Sequence, residues 1–221
     1  MITIIVVNHN YINYIDQCIE SVLKNNSKII KEIIVIDDAS SDGSFKWIKK
    51  KYKKISKMRL FKVKFKNLSK TLNYAINKAN GEWIFKIDAD DYINQNLVSS
   101  FFRYMKNYDF IFGDIIIFDK NKKSRLRQIV KKNFLKYFKH PMGSGNLYRK
   151  KLWEKINGYN GDFYYKDDAY FWSKITQFKN LRVKYVKKSC YYYRQHHKSM
   201  SKNVLKKYLT LLKIILLPKN V

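Results

Sequence analysis

Two hydrophobic periods alternate through the first part of this chain, and that alternation limits the fold more than any other feature. Met1 to Val7 and Ile33-Ile34-Val35-Ile36 are continuous apolar runs of the kind that fully buried strands require. Between them Ile12, Ile15, Ile19, Val22 and Leu23 recur at helical spacing. Phe45, Ile48, Tyr52 and Ile55 give a second helical face, which Asp42 or Ser44 can cap. Arg59 to Phe65 reads as a third, more polar strand nearer an edge. Leu68, Leu72, Ala75, Ile76 and Ala79 form a third stripe, with Asn80-Gly81 as its stop. Trp83 to Ile87 is a fourth strand. Repeated strand–helix alternation implies an α/β fold: a mainly parallel central sheet flanked by helices on both faces.

Carboxylates gather where two of these strands end. Asp37, Asp38 and Asp42 follow the second strand, and Asp88, Asp90 and Asp91 follow the fourth. In open parallel sheets ligands bind beyond the carboxyl ends of the strands, so the two clusters point to one site. Asp also favours turns after strands, but that preference explains one Asp better than two groups of three. Asp88-Ala89-Asp90 can supply hard oxygen ligands to a divalent cation, which would offset their mutual repulsion.

Composition sharpens the point. The 221 residues include 46 Lys or Arg against 17 Asp or Glu, a formal charge of +29. An apolar fraction of 46% and an aromatic fraction of 16% exclude a disordered basic tail. Excess Lys over Arg follows codon bias in an AT-rich genome, whereas the shortage of acids does not. A positive field of this size suits nucleic acid, an anionic membrane surface or phosphorylated substrates. Eight of the 17 acids fall into three groups, the third being Asp167-Asp168 at the start of a helical period running through Phe171, Trp172 and Ile175.

Beyond Asp91 the pattern is less regular. Leu97, Phe101, Tyr104 and Met105 suggest a helix, and Phe110 to Phe118 a strand. Residues 119–140 are strongly basic with interleaved aromatics, and Gly143-Ser144-Gly145 is a turn or close-approach loop before a short strand and a helix from about Lys150. Further strands are expected over Arg182–Val186 and Ser189–Arg194. The last stretch sets a polar stripe of Asn203, Lys206, Lys207, Thr210 and Lys213 against Val204, Leu205, Tyr208, Leu209, Leu211, Leu212, Ile214 and Ile215. This amphipathic C-terminal helix fits an anionic membrane surface or, equally in its pattern, a docked helix or a subunit contact. No apolar run reaches the roughly 18–20 residues needed to span a bilayer. Cys18 and Cys190 form no disulfide framework, and Ile2–Val7 is too short for a secretory signal. The expectation is a cytoplasmic protein, peripheral on the inner face of the cytoplasmic membrane.

Several motifs carry a resemblance. Ile33 to Ser44, with Asp37-Asp38-Ala39-Ser40-Ser41-Asp42-Gly43 at its centre, resembles the second-strand signature of family 2 glycosyltransferases of the GT-A fold, a Rossmann-like architecture. Leu68-Ser69-Lys70-Thr71-Leu72-Asn73, then Ala79-Asn80-Gly81-Glu82-Trp83-Ile84, resembles the family's next helix and its run into the metal motif Ile87-Asp88-Ala89-Asp90-Asp91. Val7-Asn8-His9-Asn10-Tyr11, with Tyr14-Ile15 and Cys18 to Leu23, is similar to the first loop and helix, and Tyr193-Arg194-Gln195-His196 with Ser199-Met200-Ser201 to a later segment. The resemblance covers residues 1–201, expected as the catalytic domain, with 202–221 as the amphipathic tail.

The resemblance implies an inverting enzyme that takes a sugar from a nucleotide-diphosphate donor, a UDP-sugar, to a hydroxyl of a glycan or lipid-linked acceptor. It implies that Asp38 accepts from the uracil ring, that His9 stacks on the base, and that Asp88 faces the ribose. Asp90 would coordinate Mg2+ or Mn2+ on the diphosphate. His196 falls at a position that approaches the metal or diphosphate in some members, a surface histidine beside His197 being the other reading. Asp168 would be the catalytic base. Two positions depart from the family pattern: Asp167 stands where Glu is usual, and Asn67 where Gly is usual, with a left-handed backbone expected there. A nucleic-acid-binding protein would leave the acid clusters unexplained, since they repel a phosphate backbone. A sugar nucleotidyltransferase would more naturally carry a Gly-rich loop where Asn8-His9-Asn10-Tyr11 stands.

Overall fold

The computed structural model describes residues 1–119, 124–127, 143–163, 165–196 and 204–215. Most of the basic segment 119–140 and Ser199-Met200-Ser201 therefore lie outside the described residues. The first half follows the expected alternation: β1 (Ile2–Asn8), α1 (Ile12–Leu23), β2 (Ile30–Asp38), α2 (Ser44–Lys51), β3 (Met58–Val63), α3 (Leu68–Asn77) and β4 (Trp83–Asp88). The remainder comprises β5 (Tyr92–Ile93), α4 (Leu97–Phe102), β6 (Phe110–Phe118), β7 (Ser124–Arg127) and β8 (Asn146–Arg149). It ends with α5 (Lys150–Lys155), a 3-10 turn at Gly161–Phe163, α6 (Asp167–Ile175), β9 (Val183–Arg194) and α7 (Val204–Ile215).

The strands form one sheet in the order β3-β2-β1-β4-β8-β6-β9-β5, with β7 beside β6. Strands β3, β2, β1 and β4 are mutually parallel, and β3 is at the edge as its polarity predicts. Beyond β4 the sheet becomes mixed: β8 pairs antiparallel with both β4 and β6, while β6 and β9 are parallel. Ile4, Ile5 and Val6 of β1 are completely buried, as are Ile34, Val35 and Ile36 of β2. Each such side chain contributes about 1.5–3 kcal/mol on leaving water, which is why continuous apolar runs occupy the centre. Ile15, Ile19 and Val22 of α1 and Leu72, Ala75 and Ile76 of α3 cover the sheet.

Local chemistry corrects several expectations. Helix α2 begins at Ser44 with Gly43 in the N-cap position, so neither Asp42 nor Ser44 is the cap; Asp42, one residue earlier, accepts from Ser44 N at 3.0 Å through Oδ1. Helix α3 ends at Asn77, well before Asn80-Gly81. Gly81 instead permits close approach, because a Cβ there would lie 2.6 Å from Thr3 N. Asn67 is extended (φ −149°) and caps α3 by accepting from Lys70 N at 3.1 Å; the left-handed residue is the preceding Lys66 (φ 49°). Helix α4 stops at Phe102, leaving Tyr104 and Met105 in following turns. The two expected last strands are one strand, β9, whose register against β6 shifts between Gly113 and Asp114. Asp114 holds that irregularity by accepting from Tyr185 Oη and from Lys188 N. In α7 the polar stripe does not face solvent throughout: Thr210 and Ile214 are buried, and Leu209 and Leu212 are exposed. Helix α7 packs against α6.

The loop before β8 is tightly fitted. Gly145 has φ 77°, donates to Lys86 O at 2.9 Å, and sits where a Cβ would lie 2.6 Å from the Tyr191 ring. Gly145→Ala therefore meets both backbone strain and overpacking and should cost about 3 kcal/mol, lowering Tm by roughly 6–12 °C. Gly43→Ala is the comparison, since Gly43 has φ 86° with nothing within 4 Å of a Cβ; it should cost about 1–2 kcal/mol. Thermal unfolding of the two variants checks the difference.

Candidate active site

The carboxyl ends of β1, β2 and β4 lie level. Asn8 is registered with Asp37, and Val7 with Asp88. The acid clusters separated in sequence thus share one edge of the sheet.

The β1 and β2 loops are laced together. Asn8 Nδ2 donates to Asp37 Oδ2 at 2.6 Å and to Ser44 Oγ at 2.8 Å. Asn10 (φ 59°) takes Ser40 Oγ on its N–H and Ser41 N on Oδ1. Asp42 Oδ2 accepts from Ile12 N at 2.8 Å, so one carboxylate starts both α1 and α2. His9 is exposed, with Nδ1 hydrogen-bonded to Asp38 O. Asp38 is buried: Oδ1 accepts from Lys66 N at 2.9 Å, and Oδ2 from Asn67 N at 3.2 Å and Thr71 Oγ1 at 2.6 Å. A carboxylate offers about four acceptor positions, so Asp38 retains room for one further donor while fixing the loop into α3.

The β4 cluster is denser. Asp88 is the most open of the three, its side chain 31% exposed, and Oδ2 accepts from Ser144 Oγ at 2.5 Å. Asp90 is buried, with Oδ2 2.9 Å from Nε2 of the buried His196. Burial, then the charge of Asp88, raises the Asp90 pKa, and the His196 contact opposes that rise. Tyr14 stacks on the His196 ring at 5.3 Å and Tyr11 meets its edge at 5.6 Å. Asp91 is completely enclosed, accepting from Tyr191 Oη at 2.5 Å and Arg194 N at 2.7 Å. Burial and the neighbouring Asp90 and Asp88 push its pKa well up.

Helix α6 brings the third acid group to the same edge. Asp168 is half-buried, and its Oδ1 accepts from Ala169 N at 2.8 Å. Asp167 is buried, and Oδ2 has no hydrogen-bond partner. Burial raises its pKa to about 6, against the pull of Lys86 and with the push of Asp168 and Asp88. Asp167 is the enclosed member of the pair, which is why burial acts so strongly on it.

His9, Asp38, Asp88, Asp90, His196 and Asp168 are thus distributed over one edge. His196 is a buried partner of Asp90, not a surface residue. Sequence reasoning missed Lys86. Its ammonium is buried 3.5 Å from Asp88 Oδ1 and 3.6 Å from Asp167 Oδ2. Burial disfavours its charge, but Asp167, Asp88 and Asp168 outweigh that and raise its pKa above the ordinary lysine value. A lysine inside the apolar run Trp83 to Ile87 was the available signal. Ser144, Tyr191 and Thr71 carried none.

The family model described as glycosyl transferase family 2 matches residues 3–209. GlyA, a glycosyltransferase of Streptococcus pneumoniae, is 25% identical over 222 residues, covering 91% of this chain and 31% of its own length. Among solved structures, S. aureus TarS 1–349 in complex with UDP-GlcNAc superposes with a TM-score of 0.77 at 20% identity, over 96% of this chain and 65% of that one. The mannosyltransferase PcManGT from Pyrobaculum calidifontis, in complex with GDP-Man and Mn2+, gives 0.73 at 14% identity, over 96% and 62%. The chain therefore spans about a third to two thirds of the length of these relatives.

The raised pKa of Asp167 has a stability consequence. The folded state holds the Asp167 proton more tightly than the unfolded chain, so its stabilising contribution is complete below about 4 and is lost as pH rises through about 6. Asp167→Asn lacks this loss. Relative to the wild type it should gain on the order of 3 kcal/mol between pH 4 and pH 7. Urea midpoints of both proteins at the two pH values check the difference.

Proposed function

The chain belongs to glycosyl transferase family 2, and we propose that it carries a sugar from a UDP-sugar to a hydroxyl of a glycan or lipid-linked oligosaccharide, with inversion. The observation that carries this reading is the meeting of the Asp88–Asp91 cluster and the Asp167-Asp168 pair at one sheet edge, linked through Lys86. The complexes of TarS with UDP-GlcNAc and of PcManGT with GDP-Man and Mn2+ support the donor class.

Each residue has a task on this reading. Asp38 keeps its remaining acceptor position for an N–H of the base, and His9 stands exposed beside it to cover the ring. Asp88 faces the ribose. Asp168, oriented by the Ala169 N–H, takes the proton of the acceptor hydroxyl as that oxygen attacks the anomeric carbon in line and the diphosphate leaves. An acceptor oxygen arriving opposite the leaving group inverts the centre.

The donor set also fits a divalent cation, Mg2+ or Mn2+. Asp90 and His196 present an oxygen and a nitrogen 2.9 Å apart where buried negative charge is crowded. Among the described residues no group of three or more His, Cys, Asp or Glu forms a metal-holding cluster, so the diphosphate and water would complete the coordination, as is usual for Mg2+. Such a cation would neutralise charge on the departing diphosphate.

A screen of UDP- and GDP-sugars with Mn2+, read by thermal shift and donor hydrolysis, tests the donor and cation together. A UDP-sugar should raise Tm and be consumed, with chelator abolishing turnover; indifference to every nucleotide sugar would overturn the reading. Asp168→Asn should lower turnover by about 10^3-fold or more with donor affinity within about threefold. Near wild-type turnover would remove Asp168 as the base.

We also propose that the protein works at an anionic membrane surface on the cytoplasmic side. The +29 charge and the exposed Leu209, Leu212 and Lys213 of α7 support this. No helix among the described residues is long and apolar enough to cross a bilayer. Flotation with anionic liposomes should recover the wild type more than the pair Leu209→Ser and Leu212→Ser; equal recovery would exclude α7 as the anchor.

A further inference from the structure

The most unusual charge in the described residues is the ammonium of Lys86. Its side chain is 4% exposed, in a strand where Trp83, Ile84, Phe85 and Ile87 are buried apolar residues and Asp88 ends the run. An unpaired lysine there would be costly, and a buried ion must be compensated where it lies. Its carboxylate neighbours come from two elements with different tasks. Asp88, at the end of the same strand, is 3.5 Å away on the donor side. Asp167, in the first turn of α6, is 3.6 Å away on the acceptor side, and Asp168 follows it.

The surroundings leave little slack. A Cβ on Gly143 would lie 2.9 Å from Asp168 Cβ and 3.6 Å from Lys86 Nζ, so only a residue without a side chain lets this loop close over the pair. Ser144 then donates to Asp88, and Gly145 N–H binds Lys86 O. Asp167 Oδ2 has no hydrogen bond, so the charge of Lys86 is its compensation. The ionisable groups facing Asp167 are Lys86 and Asp88 from β4, Tyr148 from β8, Tyr159 from the segment after α5, and Asp168 from its own helix.

We infer that Lys86 is a positioning residue that ties the first turn of α6 to the end of β4, setting Asp168 against the donor held at Asp88. The inference rests on the functional reading above and adds to it a residue that touches neither reactant. The distances connect the two sides through one side chain, and no other described cation lies within ion-pair distance of either Asp88 or Asp167. Loss of the ammonium leaves Asp167 as an enclosed, unmatched carboxylate, which takes up a proton or turns towards water. Either response moves the backbone that carries Asp168.

Lys86→Met, Lys86→Arg and the charge-balanced pair Lys86→Met with Asp167→Asn test this in the full chain. Turnover is read as hydrolysis of UDP-GlcNAc or whichever donor the screen selects, and nucleotide binding by calorimetry with UDP and Mn2+. Lys86→Met should lower kcat by about 100-fold while the Kd for UDP changes less than about threefold, and the acid limb of the kcat profile should move up by about one pH unit or more. Lys86→Arg should restore much of kcat and return the limb towards its original position. If Lys86→Met does not fold, the double variant carries the test: it should melt near the wild type and turn over slowly, keeping the acid limb that protonation of the base Asp168 imposes. Wild-type kcat with an unmoved limb in either variant would overturn the inference. A wild type that neither binds UDP nor consumes any nucleotide sugar would overturn the functional reading instead. In that case carboxyl-carbon NMR of Asp167 still decides the link: its titration should move up by about one unit or more in Lys86→Met, and an unmoved titration would refute the tie.

Discussion

Charge buried at one end of a sheet is the constraint on which the site depends. Asp90, Asp91 and Asp167 are all enclosed within reach of other carboxylates, and the fold keeps them there. It does so by giving each a specific partner: His196 for Asp90, Tyr191 and Arg194 N for Asp91, and Lys86 for Asp167. These partners come from β4, β9 and the segment after it. The second half of the chain is therefore required to complete an edge that the first half begins. Removing any one partner leaves a carboxylate whose desolvation is no longer offset.

The loops on the β2 side solve a different problem. Left-handed backbone at Asn10, Ala39 and Lys66 turns the chain sharply after β1, β2 and β3. Side-chain oxygens of Asp38 and Asp42 then hold the N–H groups that such turns leave over. Two acids that look like ligand groups in sequence thus also serve as local scaffolding. Asp38 illustrates the overlap, because three donors from its own chain fix it in place while an acceptor position stays available.

The legible parts of the chain were those set by local patterns. Continuous apolar runs located β1 and β2, and an apolar run broken only by Lys86 located β4, because strands buried on both faces have no alternation to disguise them. The clustered acids located the edge because their mutual repulsion demands a reason. Less legible were features that depend on contact across the sheet. Gly81 looked like a helix stop but is a close approach to Thr3, and Asn67 looked like a left-handed turn but is a cap. His196 could be read as surface until Tyr11, Tyr14 and Asp90 enclosed it. Thr210 belonged to a polar stripe and is nevertheless buried.

By itself the sequence determined the element order of the first half, the strand ends that carry acids, and the family, because these follow from hydrophobic period and short motifs read along the chain. Only the tertiary structure decided that β8 enters the sheet antiparallel beside β4, which brings Gly143 and Ser144 over the site. It alone decided that Asp167 is the enclosed carboxylate and that Lys86 stands between it and Asp88. Burial and distance between residues about eighty positions apart depend on packing, and local sequence carries no record of which face a charged side chain must turn to.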